Sequence, residues 1–257
     1  MPSFLNHQRS ISKLFTIKIL KNMKNQILGF ATLALATFTL ISCGKDRAEI
    51  IAAISETQLS YLVESALQEG MAGLTAQAEM MAALAAENVS AQCGVTKDST
   101  IVIENETAIG SAAYTTEYTW TLECENDVTP LNFDFICHSE GNYNNNRMTS
   151  NDYGDANWTL EGLSENVNEF TANGTYGRNG EQTFKVEGIV TESNMDIVVS
   201  NLKIDKSNEE ITGGSAGMNI SGTTDAGESF NFEGQIVFLG NGKARLTVNG
   251  KNFILNL

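Results

Sequence analysis

Apolar residues recur along this chain with two periods, and the change between them divides it. From about Ala48 to Asn88 the sequence is rich in Ala, Leu, Met and Glu and contains no Pro. Leu59, Leu62, Val63, Ala66, Leu67, Met71 and Leu74 follow the i, i+3, i+4 spacing of one helix face, and Ala78, Met81, Leu84 and Ala85 continue it. This predicts an amphipathic helix, with Gly70 and Gly73 placed to kink it or split it in two. Met71, Met80 and Met81 suit core packing better than a pliable binding groove.

From about Ser99 the period becomes two. Tyr114, Tyr118, Trp120, Leu122 and Cys124 share one parity, while Thr115, Glu117, Thr119, Thr121 and Glu123 take the other. That alternation predicts a strand with one packed face and one wet face. It returns in Leu131, Phe133, Phe135 and Cys137, in Ala156, Trp158 and Leu160, at Phe170 and Tyr176, and at Phe184, Val186 and Val190. Met195, Ile197 and Val199 carry it on, then Met218 and Ile220, then Phe230, Phe232, Ile236 and Phe238. Ala244, Leu246 and Val248, and finally Phe253, Leu255 and Leu257, complete the series. Asn179-Gly180, Asn241-Gly242 and Asn249-Gly250 read as tight hairpin turns.

About ten or eleven strands follow one another without a helical crossover, so the expected architecture is mainly β, an antiparallel meander. Glu-Gly recurs at residues 140–141, 161–162, 187–188 and 233–234, and Gly188 and Gly234 share the inward parity. Inward glycines mark bends, so the meander is expected to form a strongly curved sheet or partial barrel with the N-terminal helix packed on it. The expected division is a helical segment over 48–90 and one β domain over 91–257.

The N-terminal stretch has another purpose. Residues 27–41, ILGFATLALATFTLI, are uncharged and follow Lys24, which suits the apolar region of an export signal rather than a membrane span. Leu40-Ile41-Ser42-Cys43 resembles the lipobox of bacterial lipoproteins. The resemblance implies cleavage before Cys43 and lipid on its sulfur and amine. Residues 1–42 then form leader and signal, with Met23 as an alternative start, and residues 43–47 form a lipidated tether.

Charge sharpens the exclusions. The chain carries 16 Lys and Arg against 31 Asp and Glu. Residues 1–42 hold Arg9, Lys13, Lys18, Lys21 and Lys24 and no acid, so the remainder has 11 bases against 31 acids, a formal charge of −20. Nucleic acid is not an expected partner, because phosphate binding needs clustered Lys and Arg. The balance chiefly gives solubility.

Candidate chemistry is sparse. Gly213-Gly214-Ser215-Ala216-Gly217 matches the serine-hydrolase pattern G-x-S-x-G, but its flanks are strand-like and no histidine follows His138. His138 adjoins Cys137, and neighbours in a strand point to opposite faces, so the two do not make a site. No Cys-x-x-Cys and no His pair supports zinc, and no catalytic residue, metal or cofactor is expected. The stretch NYNNNRMTSNDYGDAN reads as a polar loop in which Asp152 and Asp155 offer oxygens to calcium, without EF-hand spacing. Three cysteines remain after Cys43. Cys124 and Cys137 sit on successive strands, and Cys93 is an alternative mate for Cys124.

The segments Cys93-Gly94, YTTEYTWTLEC, RMTSNDYGDANWTLEGL, NGTYGRNGEQTFKVEG and the last 48 residues from EITGGSAGMN onward are similar to a family of uncharacterised flavobacterial lipoproteins. The resemblance implies a disulfide between Cys93 and Cys124, with Cys137 as the departure, and it brings no known activity. Gly44-Lys45-Asp46 slightly resembles surface-export signals of such bacteria. The expected protein is an outer-membrane lipoprotein, without catalysis, leaning to the cell surface. Its expected ligand is apolar, held between the sheet and helix near Trp120, Trp158 and Phe230. The alternatives are a filled core with an envelope protein or glycan on the outer face, and, more remotely, a hydrolase.

Overall fold

Helix α1, Glu56–Leu67, starts where Ser55 and Gln58 form a capping box, the Ser55 hydroxyl receiving the Gln58 N–H and Gln58 receiving the Ser55 N–H. A single 3₁₀ turn, Glu69–Met71, and a left-handed Ala72 at φ 49° then break the run before helix α2, Leu74–Asn88. The expected helix is therefore split, as Gly70 and Gly73 allow. The computed structural model describes residues 53–108 and 110–257, so Met23, Cys43 and the tether lie outside the described residues. No helix among the described residues is long and apolar enough to cross a membrane.

Ten strands follow: β1 Lys97–Thr107, β2 Gly110–Glu125, β3 Thr129–Asn145, β4 Met148–Glu161, β5 Glu169–Phe184, β6 Ile189–Asp205, β7 Ile211–Thr224, β8 Ser229–Gly240, β9 Lys243–Val248 and β10 Lys251–Asn256. Each pairs antiparallel with the next in one meandering sheet, and β1 and β10 do not pair, so the sheet curves without closing. The type of fold expected from the alternation is the one observed. Asn241-Gly242 and Asn249-Gly250 do form two-residue turns, all four residues having φ between 50° and 74°.

The curvature can be read from one carboxylate. Trp120, Phe135 and Trp158 stand in one cross-strand row that continues through Gly174, Val199, Ala216 and Ile236 to Leu246 and Phe253. Arg147 lies twelve residues from this row, in the turn just beyond β3, and Asn256 three residues from it in the opposite direction along β10. On a flat sheet that offset alone would be roughly 50 Å of strand. Yet Arg147 Nη1 donates to Glu64 Oε2 at 3.0 Å and the Asn256 N–H donates to Glu64 Oε1 at 3.2 Å. The sheet is therefore coiled with a strong stagger, as in a barrel.

The helices occupy its concave side. Nine residues of α1 and eleven of α2 are buried. The α1 segment runs along β10, with Glu56 bonded to Lys251 and Gln68 donating to the Asn256 carbonyl. The last residue of α2, Asn88, accepts from Lys97 at the start of β1.

Several details differ from the alternation. Asn179-Gly180 is not a turn but the middle of β5, paired with Tyr153 and Asp152. A Cβ on Gly180 would lie 2.4 Å from the Asn151 carbonyl oxygen, so glycine is there for close approach between strands. The true turn is residues 185–188. Gly188, expected inward, ends it at φ 72°, and Val186 at its tip is 84% exposed. Leu131 is likewise exposed at a sheet end. The stretch read as a polar loop, NYNNNRMTSNDYGDAN, is the hairpin of β3 and β4, joined by only two residues.

Candidate functional site

The inward face of the sheet is graded. At the level of Trp120 and below it the rows are apolar, with Phe133, Phe135, Trp158, Leu160, Ala172 and Leu202 all fully buried. Two rows further along, at Thr116, Ser139, Gly154 and Arg178, the same face turns polar, and it stays so beyond. Tyr114, Gly141, Asp152, Gly180 and Ser193 form one row; Tyr143, Ser150, Gln182 and Thr191 form the next.

Arg178, on β5, is the centre of this polar layer and is 6% exposed. Its Nε donates to Asp152 Oδ1 at 2.9 Å, Nη2 to the Tyr114 hydroxyl at 2.6 Å, and Nη1 to the Ser65 carbonyl at 2.8 Å. Asp152 also accepts from Tyr114 and from Ser150, the latter at 2.5 Å. Ser150 accepts from Gln182, whose side-chain oxygen accepts from Ser193 at 2.8 Å. Burial opposes the Arg178 charge, but Asp152 and the surrounding tyrosines offset this and raise its pKa. The guanidinium also lies 5.6 Å from the Tyr114 and Tyr143 ring centres.

This arrangement is a bridge to α1. Ser65 lies in the last turn of α1, where carbonyls have no helical partner and the helix dipole is negative. A buried cation held there by a buried carboxylate satisfies both. No sequence reading singled out Arg178. The available signal was parity, because Tyr176, Arg178, Gln182 and Phe184 share one face of a continuous strand.

The residues expected to line a cavity are all inward but not together. Trp120 and Trp158 stand in one row with Phe135 between them, and Phe230 pairs with Gly222 in the row of Tyr114, three rows away. Three rows are about 20 Å of strand. The indole N–H groups of Trp120 and Trp158 are buried without an acceptor among the described residues.

The other candidates are placed as follows. Cys93 and Cys124 form a disulfide. Cys137 is a buried free thiol, with burial and then Asp155 pushing its pKa up to about 12. His138 faces outward, away from Cys137, and its Nδ1 lies 2.7 Å from Asp155 Oδ1. Asp152 and Asp155 therefore point to opposite faces and do not bring their oxygens together. No group of three His, Cys, Asp or Glu side chains suited to a metal occurs among the described residues. Ser215 lies inside β7 opposite Ser200 and Val237, not on the strand-to-helix elbow its motif needs. Compared with protein-family models, with characterised proteins and with solved structures, the chain matches none.

Proposed function

We propose that this chain is an exported, lipid-anchored and noncatalytic protein of the cell envelope, held at the outer membrane through Cys43. In this reading its interior is structural, and it binds an envelope protein or glycan on its outer surface. The lipobox-like segment supports export and anchoring, and the Cys93–Cys124 disulfide suits an oxidising compartment. The likeness to flavobacterial lipoproteins points the same way.

The observation that carries the structural interior is Arg178. Its donors end on Asp152, Tyr114 and the end of α1, so the helix is latched into the trough as part of the fold rather than as a lid over a ligand. The unpartnered indole N–H groups of Trp120 and Trp158 favour a second reading, an apolar ligand with a polar acceptor in the interior.

Native mass spectrometry of the protein extracted from its membrane distinguishes them. The expected mass is that of the chain from Cys43 plus acyl chains and nothing more. A co-purifying apolar molecule that is lost in Trp158→Ala, while acylation persists, would replace the first reading by the second. A chain without acyl mass would remove the anchor from both.

A further inference from the structure

In an antiparallel meander the connections alternate between two ends of the sheet. One end carries the β1–β2, β3–β4, β5–β6, β7–β8 and β9–β10 connections, and the other carries the remaining four. Helix α1 begins at the first end. Its Glu56 meets Lys251, the residue that follows the β9–β10 turn, at 3.3 Å. Glu64 then reaches Arg147 in the β3–β4 connection at 3.0 Å. The first helix of the described residues therefore starts at this end.

The two ends differ in charge. Taking each connection with one flanking residue on either side, and adding the Glu56 and Glu64 that pair with Lys251 and Arg147, the first end carries three bases, Arg147, Lys185 and Lys251, against five acids, Glu56, Glu64, Glu187, Asp225 and Glu228. The opposite end carries two bases, Lys206 and Lys243, against eight acids. Glu125, Asp127, Glu165 and Glu210 are among those acids, in three separate connections.

We propose that the end bearing the β3–β4, β5–β6 and β9–β10 connections is the membrane-facing surface of the protein, and that its partner is the headgroup layer of the lipid bilayer holding the anchor. The proposal rests on the reading of Cys43 as the lipidated residue. Glu56 is the thirteenth residue after Cys43, and a fully extended chain of that length reaches about 45 Å at most, so the domain stays near the lipid surface. Anionic headgroups repel the strongly acidic end more than the other, whose Arg147 and Lys251 are neutralised by Glu64 and Glu56, which orients the tethered domain. Val186, 84% exposed at the tip of the β5–β6 turn and preceded by Lys185, is then the apolar side chain closest to the headgroups. The acidic end, with Val128 78% exposed in the β2–β3 turn, faces outward from the bilayer.

The test uses the full lipidated chain in vesicles of phosphatidylethanolamine and phosphatidylglycerol containing a headgroup-linked quencher. Fluorophores are placed on Val186→Cys and, in a separate protein, on Val128→Cys, with the unsubstituted protein as the labelling blank. Quenching at position 186 is expected to exceed that at position 128 at least threefold. An acylated protein with equal quenching at the two positions, or more at 128, overturns the orientation alone. A preparation whose mass shows no acyl chains, and which does not bind the vesicles, overturns the anchoring and the orientation together.

Discussion

Arg178 Nη1 and the carbonyl oxygen of Ser65 lie 2.8 Å apart, joining the middle of the sheet to the last turn of α1 through a buried charge. The same guanidinium is paired with Asp152 at 2.8 Å, and the carboxylate is 2% exposed in its side chain. Neither charge reaches water, so each depends on the other.

Removing one partner should therefore cost more than removing both. Arg178→Met is expected to destabilise the fold by about 3–5 kcal/mol, because it strands the Asp152 carboxylate and a helix-end carbonyl. Arg178→Met combined with Asp152→Leu should recover part of that loss. Urea denaturation of the two single variants and the double variant checks this. A double variant as unstable as the sum of the singles would mean that the two side chains act independently.

The tyrosines around this pair predict how the fold meets alkali. Burial, opposed in part by Arg178, pushes the Tyr143 and Tyr176 phenols up to about 12, and Tyr114 is also raised. In the unfolded chain a tyrosine titrates near ~10. A pKa raised on folding gives stability that is fully present below the unfolded value and is lost as pH climbs through the folded one. Structure should thus weaken between about pH 10 and pH 12. Ionisation of these phenols, followed at 295 nm, should coincide with loss of the β signal in circular dichroism. Full ionisation with the β signal intact would contradict it.

Much of this architecture is legible because a strand records its two faces in alternate residues. Phe133, Phe135, Trp158, Ile197 and Leu246 follow that rule, and each is buried. The rule fails where the inward face is polar. Asp152, Ser150 and Gln182 look like loop residues by composition, and Asn179-Gly180 looks like a turn, so β4 and β5 read as shorter than they are. Their pairing partners supply the missing information, and those lie on other strands. A second failure is parity itself. Inward residues on β6 are odd up to Val199, then Asn201 takes a positive φ of 52° and Leu202 and Ile204 turn inward. A bulge of this kind moves every later side chain to the other face without any local mark in hydrophobicity.

Two glycines with different surroundings test the account of curvature. A Cβ on Gly141 would stand 2.1 Å from the Ala113 carbonyl oxygen and 2.6 Å from the Tyr114 ring. Gly141→Ala is expected to cost about 1–3 kcal/mol, since the opposing backbone cannot give way cheaply. Gly217, on the outer face of β7, has nothing within 4 Å of its added Cβ. Gly217→Ala should be neutral or stabilise by up to about 1 kcal/mol, chiefly by restricting the unfolded chain. Thermal melts of both variants decide the matter. Similar losses in the two would show that strand glycine acts here through something other than close approach.

The cysteines divide into a disulfide and a buried free thiol. The disulfide joins Cys93, ahead of β1, to Cys124 at the end of β2, across a sequence separation of 31 residues. Closing a loop of that length restricts the unfolded chain by about 3–4 kcal/mol, so Cys93→Ser with Cys124→Ser should lose about that much stability. Cys137 stands opposite Tyr118 and Ala156 on the packed face of β3, too far along the strand to exchange with Cys124, which pairs with Pro130. With its pKa pushed up to about 12 by burial and then by Asp155, the thiol stays protonated at pH 8, and thiolate is the reactive form. In a Cys43→Ser chain, a disulfide-exchanging dye at pH 8 should find no reactive thiol in the native protein and one in urea. Reaction of the native protein at the rate of an ordinary free thiol would mean that β3 opens to solvent far more often than its packing implies.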